Sequence, residues 1–332
     1  MRYVILGAGA VGATIGGRLA EGGCDVTLVG RGAHAAAVQQ NGLVLAMPDR
    51  VSRLPIAMLT MDQLRLSAAD VLILAVKSQD TAQLLNQLGT VSVEDGVRFD
   101  ALPVFCAQNG IANEDAALRC FSRVYGVCVN VPATHIEPGV IEAAGSPVSG
   151  ILQLGRYPAG PPDDVADAVA ADLSRCGLTS SVHADVMPWK RAKLLSNLAN
   201  ALQVLCIGGF QRWAPADGAV GEVMARLGAE ALACFGAAGW IVTDARAYRA
   251  GTSGFEIATV GGRPRSGGST WQSVARGLPT VETDFLNGEI VRLGRLHGVP
   301  TPVNTAVQVR MREIIRRSLT PRSLEPADLL VP

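Results

Sequence analysis

Met1-Arg-Tyr-Val-Ile-Leu-Gly7-Ala8-Gly9-Ala10-Val11-Gly12 opens the chain. The apolar run from Tyr3 to Leu6 ends on G-x-G-x-x-G, and the helix-like stretch Ala10 to Glu21 follows. Strand, glycine turn and helix in that order are the context a dinucleotide fingerprint requires. Gly7 makes the tight turn. Gly9 lets the backbone approach a pyrophosphate, and Gly12 lets the helix pack close to the strand. Ala8, Ala10 and Val11 complete the turn and the helix start, whose N–H groups and dipole favour a phosphate.

The next strand-like run is Asp25-Val-Thr-Leu-Val29, followed by Gly30 and Arg31. A cofactor without a 2′-phosphate usually meets an Asp or Glu at this strand end. Here no carboxylate stands to accept the ribose hydroxyl or repel a phosphate, and Arg31 offers a planar fork that suits one. The reading is NADP(H) rather than NAD(H). The competing reading is that Arg31 is only a solvated loop residue.

The bulk numbers bound the rest. The chain has 332 residues, 48% hydrophobic and 17% charged, with formal net charge +0. That is enough for two folded domains and excludes a disordered chain. No basic run implies nucleic acid or an anionic membrane. The apolar stretches are strand-length or interrupted by glycine, so no spanning helix is expected. The N-terminus reads as a strand and its turn, so a signal peptide is not expected. Seven cysteines are scattered without a CxxC pair, which suits a reduced, cytoplasmic chain. The four histidines form no metal-ligand spacing, so no metal is expected.

Further along, Asp70-Val-Leu-Ile-Leu-Ala-Val76 and Pro103-Val-Phe-Cys-Ala107 read as buried parallel strands. Their alternation with helical stretches implies a doubly wound sheet. From Val124 to Leu154, strand-like segments separated by Pro138-Gly139 and Gly145-Ser146-Pro147 read as hairpins added to the sheet edge. A helix (Pro162 to Arg175) and a strand (Thr179 to His183) close the first domain. From about Val186 the chain reads as helical, with segments around Pro188–Gly208, Asp217–Gly239, Pro279–His297 and Thr301–Ser318. Gly251 to Ser269 is either a loop or a poorly formed helix, and the tail beyond Leu319 reads as loose. The expected architecture is α/β. It combines an N-terminal Rossmann-type doubly wound sheet (residues 1–186) with an all-helical C-terminal domain for substrate and dimerisation (187–332).

Ligands of such a sheet bind outside the carboxyl ends of its strands. Two strand ends carry polar residues, Lys77-Ser78 and Gln108-Asn109-Gly110. Asn109 reads either as a hydrogen-bonding group for a nicotinamide ribose or substrate carbonyl, or as a plain turn-former. In the helical half, Trp189, Lys193, Asn197 and Asn200 are spaced by 4, 4 and 3, one helical face. Two asparagines inside a helix disfavour it and suggest a use. A lysine lowered in pKa by burial can protonate a reacting carbonyl. The plainer reading is a solvated basic face. Glu282 reads as a carboxylate in the first turn of a helix that Gly298 and Pro300 end.

Taken together the motifs resemble the ketopantoate reductases (2-dehydropantoate 2-reductases) over nearly the full length. The resemblance rests on GAGAVG (Gly7–Gly12), Arg31, AVKSQDT (Ala75–Thr81), QNGI (Gln108–Ile111), KLLSNLANAL (Lys193–Leu202) and ETDFLNGEIVRLGRLHGVPTPVN (Glu282–Asn304). It implies NADPH-dependent reduction of ketopantoate to pantoate, a small 2-keto acid substrate, and a monomer or homodimer. It makes Lys193 the proton donor and Glu282 the carboxylate that binds the substrate hydroxyl. Asn109 and Asn197 would position cofactor and substrate, and Arg31 and Lys77 would hold the adenosine end. There are departures. The family places a second asparagine eight residues after the lysine. Here Ala201 stands at that position and Asn200 lies one earlier. Gly267 stands where the family has an asparagine, leaving Ser269 or Thr270 to serve the substrate. Two alternatives follow: a related reductase of another 2-keto acid or ketone, and a non-catalytic NADP(H)-binding sensor that would need neither Lys193 nor Glu282.

Overall fold

The computed structural model describes residues 1–94, 96–207, 218–263 and 267–330. Fourteen strands and twelve α-helices follow in chain order among them. The first half contains β1 (Arg2–Leu6), α1 (Ala10–Glu21), β2 (Asp25–Val29), α2 (Gly32–Asn41), β3 (Leu43–Ala46), β4 (Val51–Leu54), β5 (Ala57–Leu59) and β6 (Asp70–Leu74). It continues through α3 (Thr81–Leu88), β7 (Pro103–Cys106), α4 (Asn113–Leu118), β8 (Arg123–Asn130), β9 (Ala133–Glu137), β10 (Val140–Ala143) and β11 (Gly145–Ser146). Then come β12 (Ile151–Tyr157), α5 (Asp164–Arg175) and β13 (Thr179–His183). The remainder is α6 (Met187–Asn197), α7 (Leu202–Leu205), α8 (Gly218–Ala237), α9 (Ala245–Gly251), β14 (Glu256–Ile257), α10 (Ser269–Ala275), α11 (Asn287–His297) and α12 (Pro302–Arg317).

Eight strands form the main sheet in the order β13-β12-β8-β7-β6-β1-β2-β5. Every pair from β5 to β8 is parallel, and β12 enters antiparallel to β8. Side chains alternate across β1, and both faces are covered. Tyr3 and Ile5 join a core with Ile15 and Leu19 of α1 and Leu173 of α5, while Val4 and Leu6 join one with Leu84, Leu85 and Leu88 of α3. Two covered faces explain the continuous apolar runs. The chain moves from β1 to β2 and β5 on one side, then crosses to β6 on the other. The carboxyl ends of β1 and β6 are therefore the topological switch point, where such sheets bind ligands.

The hairpin expectation is corrected in part. β9 and β10 do not extend the main sheet. They pair with β3 and β4 in a separate four-stranded sheet, ordered β4-β3-β10-β9. This sheet packs on α1, where a Cβ at Gly17 would lie 3.2 Å from the side chains of Leu43 and Leu45.

Contacts divide the chain into two compact units. The first takes in residues 1–109 and 113–190 and recovers α9 and β14 from beyond the boundary read at residue 186. The Gly251–Ser269 stretch is thus neither a plain loop nor a helix in its described part. β14 pairs with β11, and the Ala258 N–H donates to the Ala144 carbonyl. Residues 264–266 of that stretch, and the expected helix ends at Gly208 and Asp217, lie outside the described residues.

The second unit is built on α8, α11 and α12. Val223, Leu227, Ala231 and Phe235 of α8 are buried, as are Ile290 and Leu293 of α11 and Val307 and Met311 of α12. Buried Asn304 donates to Glu230 at 2.7 Å, and Glu230 accepts the Val303 and Asn304 N–H groups that start α12. The tail is not loose through Leu330. Arg322 and Leu324 donate backbone N–H groups to the carbonyls of Val204 and Leu205, and Leu329 is buried. No helix among the described residues is long and apolar enough to cross a membrane.

Candidate active site

The glycine turn has the shape its sequence requires. Gly7 adopts φ +105°, and a Cβ there would lie 2.6 Å from the Val76 nitrogen, so the ends of β1 and β6 nearly touch. A Cβ on Gly12 would lie 2.1 Å from the Gly7 carbonyl oxygen. One on Gly9 would meet nothing within 4 Å. The turn is therefore closed toward the protein and open outward at Gly9, the residue at which the fingerprint would admit a pyrophosphate. Helix α1 has no side-chain cap and no acidic residue in its first turn, which leaves its N–H groups and dipole to an anion. These residues fit a dinucleotide.

Arg31 is exposed at the end of β2, where it is the residue before α2, and α2 has no acidic residue in its first turn. His34 lies one turn further, half-buried. Its Nδ1 accepts the Gly139 N–H at 3.0 Å, its ring stacks edge-on against His135, and it lies beside the Ala8 backbone. Burial holds its ionisation below the usual histidine range.

A buried polar network ties the β6 and β7 ends together. Gln108 donates to the Val76 carbonyl at 3.0 Å and to Thr81 Oγ1 at 2.8 Å, and Thr81 in turn donates to Asn113 Oδ1 at 2.8 Å. Asn113 donates to Ser78 Oγ at 3.1 Å and to the Asn109 carbonyl at 3.2 Å. The segments bearing Lys77 and Asn109 are thereby stitched to one another. Asn109 is held by more than turn geometry.

Sequence reasoning passed over Lys190 and Glu114. Both are buried, with Nζ 2.7 Å from Oε1. The contact is off the hydrogen-bonding line, so Glu114 is held by charge rather than by a directed bond. Lys190 Nζ donates instead to the carbonyls of Gln108 (2.9 Å) and Val127 (3.1 Å), with Cys106 at 3.4 Å. Burial, with the Glu114 charge nearby, pushes the Cys106 thiol well up, which removes it as a nucleophile. One signal for Glu114 was available. Glu114, Ala117 and Phe121 follow a helical spacing and are all buried, and a carboxylate on an apolar stripe demands a partner.

In the second unit the expected helical face is modified. α6 ends at Asn197, and residues Leu198–Ala201 form a 3₁₀ turn before α7. Residues three apart eclipse in a 3₁₀ turn, so Asn200 aligns with Asn197. Both are buried, and Asn200 Nδ2 lies 3.5 Å from Asn197 Oδ1. Lys193 is half-buried on α6. Trp189 leaves this set: it packs against His183 and Tyr248 in the first unit.

Glu282 is buried, but not in the first turn of a long helix. It begins a separate 3₁₀ turn, Glu282–Phe285, and α11 starts at Asn287 after a break at Leu286. Gly298 ends α11 in the left-handed conformation as the sequence implied. Ser269 and Thr270 open α10, with Thr270 buried. Just before them, Gly267 has φ +112°, and a Cβ there would lie 2.8 Å from the Trp271 indole. The ring fills the space a side chain at 267 would need. Arg322 from the tail stacks over the same indole at 4.1 Å. Gln203 accepts the Gly268 N–H at 2.7 Å, which links the 3₁₀ region to α10. Among the described residues no cluster of His, Cys, Asp or Glu is suited to a metal ion.

Comparison with known proteins gives a consistent picture. Residues 3–159 match the family described as ketopantoate reductase PanE/ApbA, and residues 185–314 match its C-terminal family. A 2-dehydropantoate 2-reductase of Pyrococcus horikoshii is 31% identical over 308 residues, covering 92% of this chain and 94% of the relative. The crystal structure of a PanE/ApbA family ketopantoate reductase from Ralstonia eutropha superposes with TM-score 0.76 at 27% identity, covering 96% of this chain and 99% of that one. A D-mandelate dehydrogenase, in a ternary structure with NADH and anilino(oxo)acetate, superposes with TM-score 0.75 at 21% identity, and each chain is covered fully.

Proposed function

The chain belongs to the ketopantoate reductase family and is an oxidoreductase, and we propose that it reduces 2-dehydropantoate to pantoate with NADPH. The observation that carries this reading is the set Lys193, Asn197, Asn200 and Glu282, placed on a helix, a 3₁₀ turn and a second 3₁₀ turn of one unit. A nicotinamide, when bound, supplies the hydride. The residues of the chain do the rest. Gly7 to Gly12 receive the pyrophosphate on the start of α1. Arg31 and Lys77 hold the adenosine end, with Arg31 taking the 2′-phosphate as a planar fork. Asn109 hydrogen-bonds the nicotinamide ribose.

Reduction builds negative charge on the ketone oxygen. The Lys193 ammonium stabilises that charge and transfers a proton to it. Glu282 accepts the substrate hydroxyl, Asn197 and Asn200 fix the 2-keto acid, and Ser269 and Thr270 serve its carboxylate. A 2-keto acid with a larger or aromatic side chain is the second reading. It is favoured by the Trp271 indole packed on Gly267 and by the likeness to the D-mandelate enzyme. Loss of NADPH absorbance with 2-dehydropantoate, phenylglyoxylate and simple 2-keto acids separates the two. Turnover confined to 2-dehydropantoate supports the first reading, and preference for phenylglyoxylate selects the second.

A further inference from the structure

We propose that Lys190, buried against Glu114, is the positioning residue that sets the Gln108–Asn109 segment for the cofactor. This inference rests on the NADPH reading above. Three backbone carbonyls surround its ammonium: Gln108 at 2.9 Å, Val127 at 3.1 Å and Cys106 at 3.4 Å. Cys106 ends β7, Gln108 lies two residues beyond it, and Val127 belongs to β8. Buried backbone carbonyls need partners, and here one buried cation gathers one from the end of β7, one from just beyond it and one from β8. The Gln108 carbonyl is joined by a single peptide unit to Asn109, so its position fixes that residue. The Asn109 carbonyl is held independently by Ser78 and Asn113. Both sides of Asn109 are therefore clamped. A neutral side chain of the same length would leave the carbonyls undirected, and a buried cation without Glu114 would be uncompensated. Gly126 lines the same place: a Cβ there would crowd Val186 Cγ1 at 2.9 Å and come into contact with Glu114 Oε1 and Lys190 Cδ at 3.4 Å.

The test is NADPH affinity set against thermal stability. The double variant Lys190→Met/Glu114→Gln removes both charges at nearly constant volume. It is expected to raise the NADPH Kd about tenfold. The control is Asp70→Asn, which breaks the ion pair of a buried carboxylate at the other end of the sheet and is expected to lower Tm while leaving Kd within about twofold. If the double variant does not fold, Glu114→Asp keeps both charges and draws the ammonium away from Gln108. Its expected weakening is about two- to fivefold. An unchanged Kd in the carboxyl-edge variants overturns the proposal, as does a Kd that tracks Tm equally in the control. Failure of the wild-type protein to bind NADPH overturns the cofactor reading itself.

Discussion

The two ends of the main sheet each hold a buried carboxylate in an ion pair, and the pairs are built differently. At the amino edge, Arg2 opens β1 beside Asp70, which opens β6. Asp70 accepts directed bonds from Arg2 Nε (2.7 Å), Arg2 Nη2 (2.6 Å) and the Ser67 N–H (2.7 Å). At the carboxyl edge, Glu114 makes no directed bond among the described residues, and Lys190 donates to backbone carbonyls. The first pair is satisfied within itself and closes one end of the fold. The second uses its cation to shape the backbone beside the residues proposed to hold the cofactor. A buried ion pair is weak evidence of stability in either place. What each cation is bonded to tells more.

The largest expected effect is at the carboxyl edge. Gly12→Ala puts a Cβ 2.1 Å from the Gly7 carbonyl, and titration of cofactor fluorescence is expected to show NADPH binding weakened about a hundredfold or more. An affinity near wild type would break the contrast, because the turn would then not be the anchor. Asp70→Asn should cost about 2 kcal/mol in denaturant unfolding, since a buried, charge-assisted network loses its centre. NADPH affinity should hold, which marks the amino edge as structural.

Arg31→Ala sharpens the comparison within the carboxyl edge. It should weaken NADPH about tenfold and leave NADH unchanged, since only one of them carries a phosphate for the fork. The smallest effect concerns His34 beside the turn. Its folded-state pKa is lowered by burial, so the unfolded chain takes up the proton first. Stability is complete above the unfolded value, about 6.5, and falls as the pH drops from there toward the lower folded value. Thermal melts from pH 7.5 to 5 should slope more in the wild type than in His34→Asn. Parallel slopes would remove His34 from the account.

The glycine turn was fully legible in the sequence because steric rules operate over adjacent residues. Gly7, Gly9 and Gly12 each have a requirement that a Cβ would violate or leave free. The second sheet was not legible, since β10 pairs with β3 far earlier in the chain, Val140 opposite Val44, and local pattern carries no register across that distance. Asn197 and Asn200 were recognised as a pair from spacing. The 3₁₀ turn that aligns them was not, because three- and four-residue steps look alike in a short helix. The tail from Leu319 lacks periodicity, yet it is held by backbone bonds to Val204 and Leu205, which composition does not record. Lys190 looked like one more cation in Trp189-Lys-Arg-Ala-Lys193. Only Glu114, on the buried stripe of α4, hinted that a buried partner was needed.

Single-turnover oxidation of enzyme-bound NADPH by 2-dehydropantoate, compared between the wild type and Lys193→Ala, tests Lys193 as the proton donor most plainly. Rapid oxidation is expected in the wild type, slowed by about 10²–10⁴-fold in the variant, with NADPH affinity retained. Oxidation at near the wild-type rate in Lys193→Ala, or none in a wild type that binds NADPH, would contradict that role.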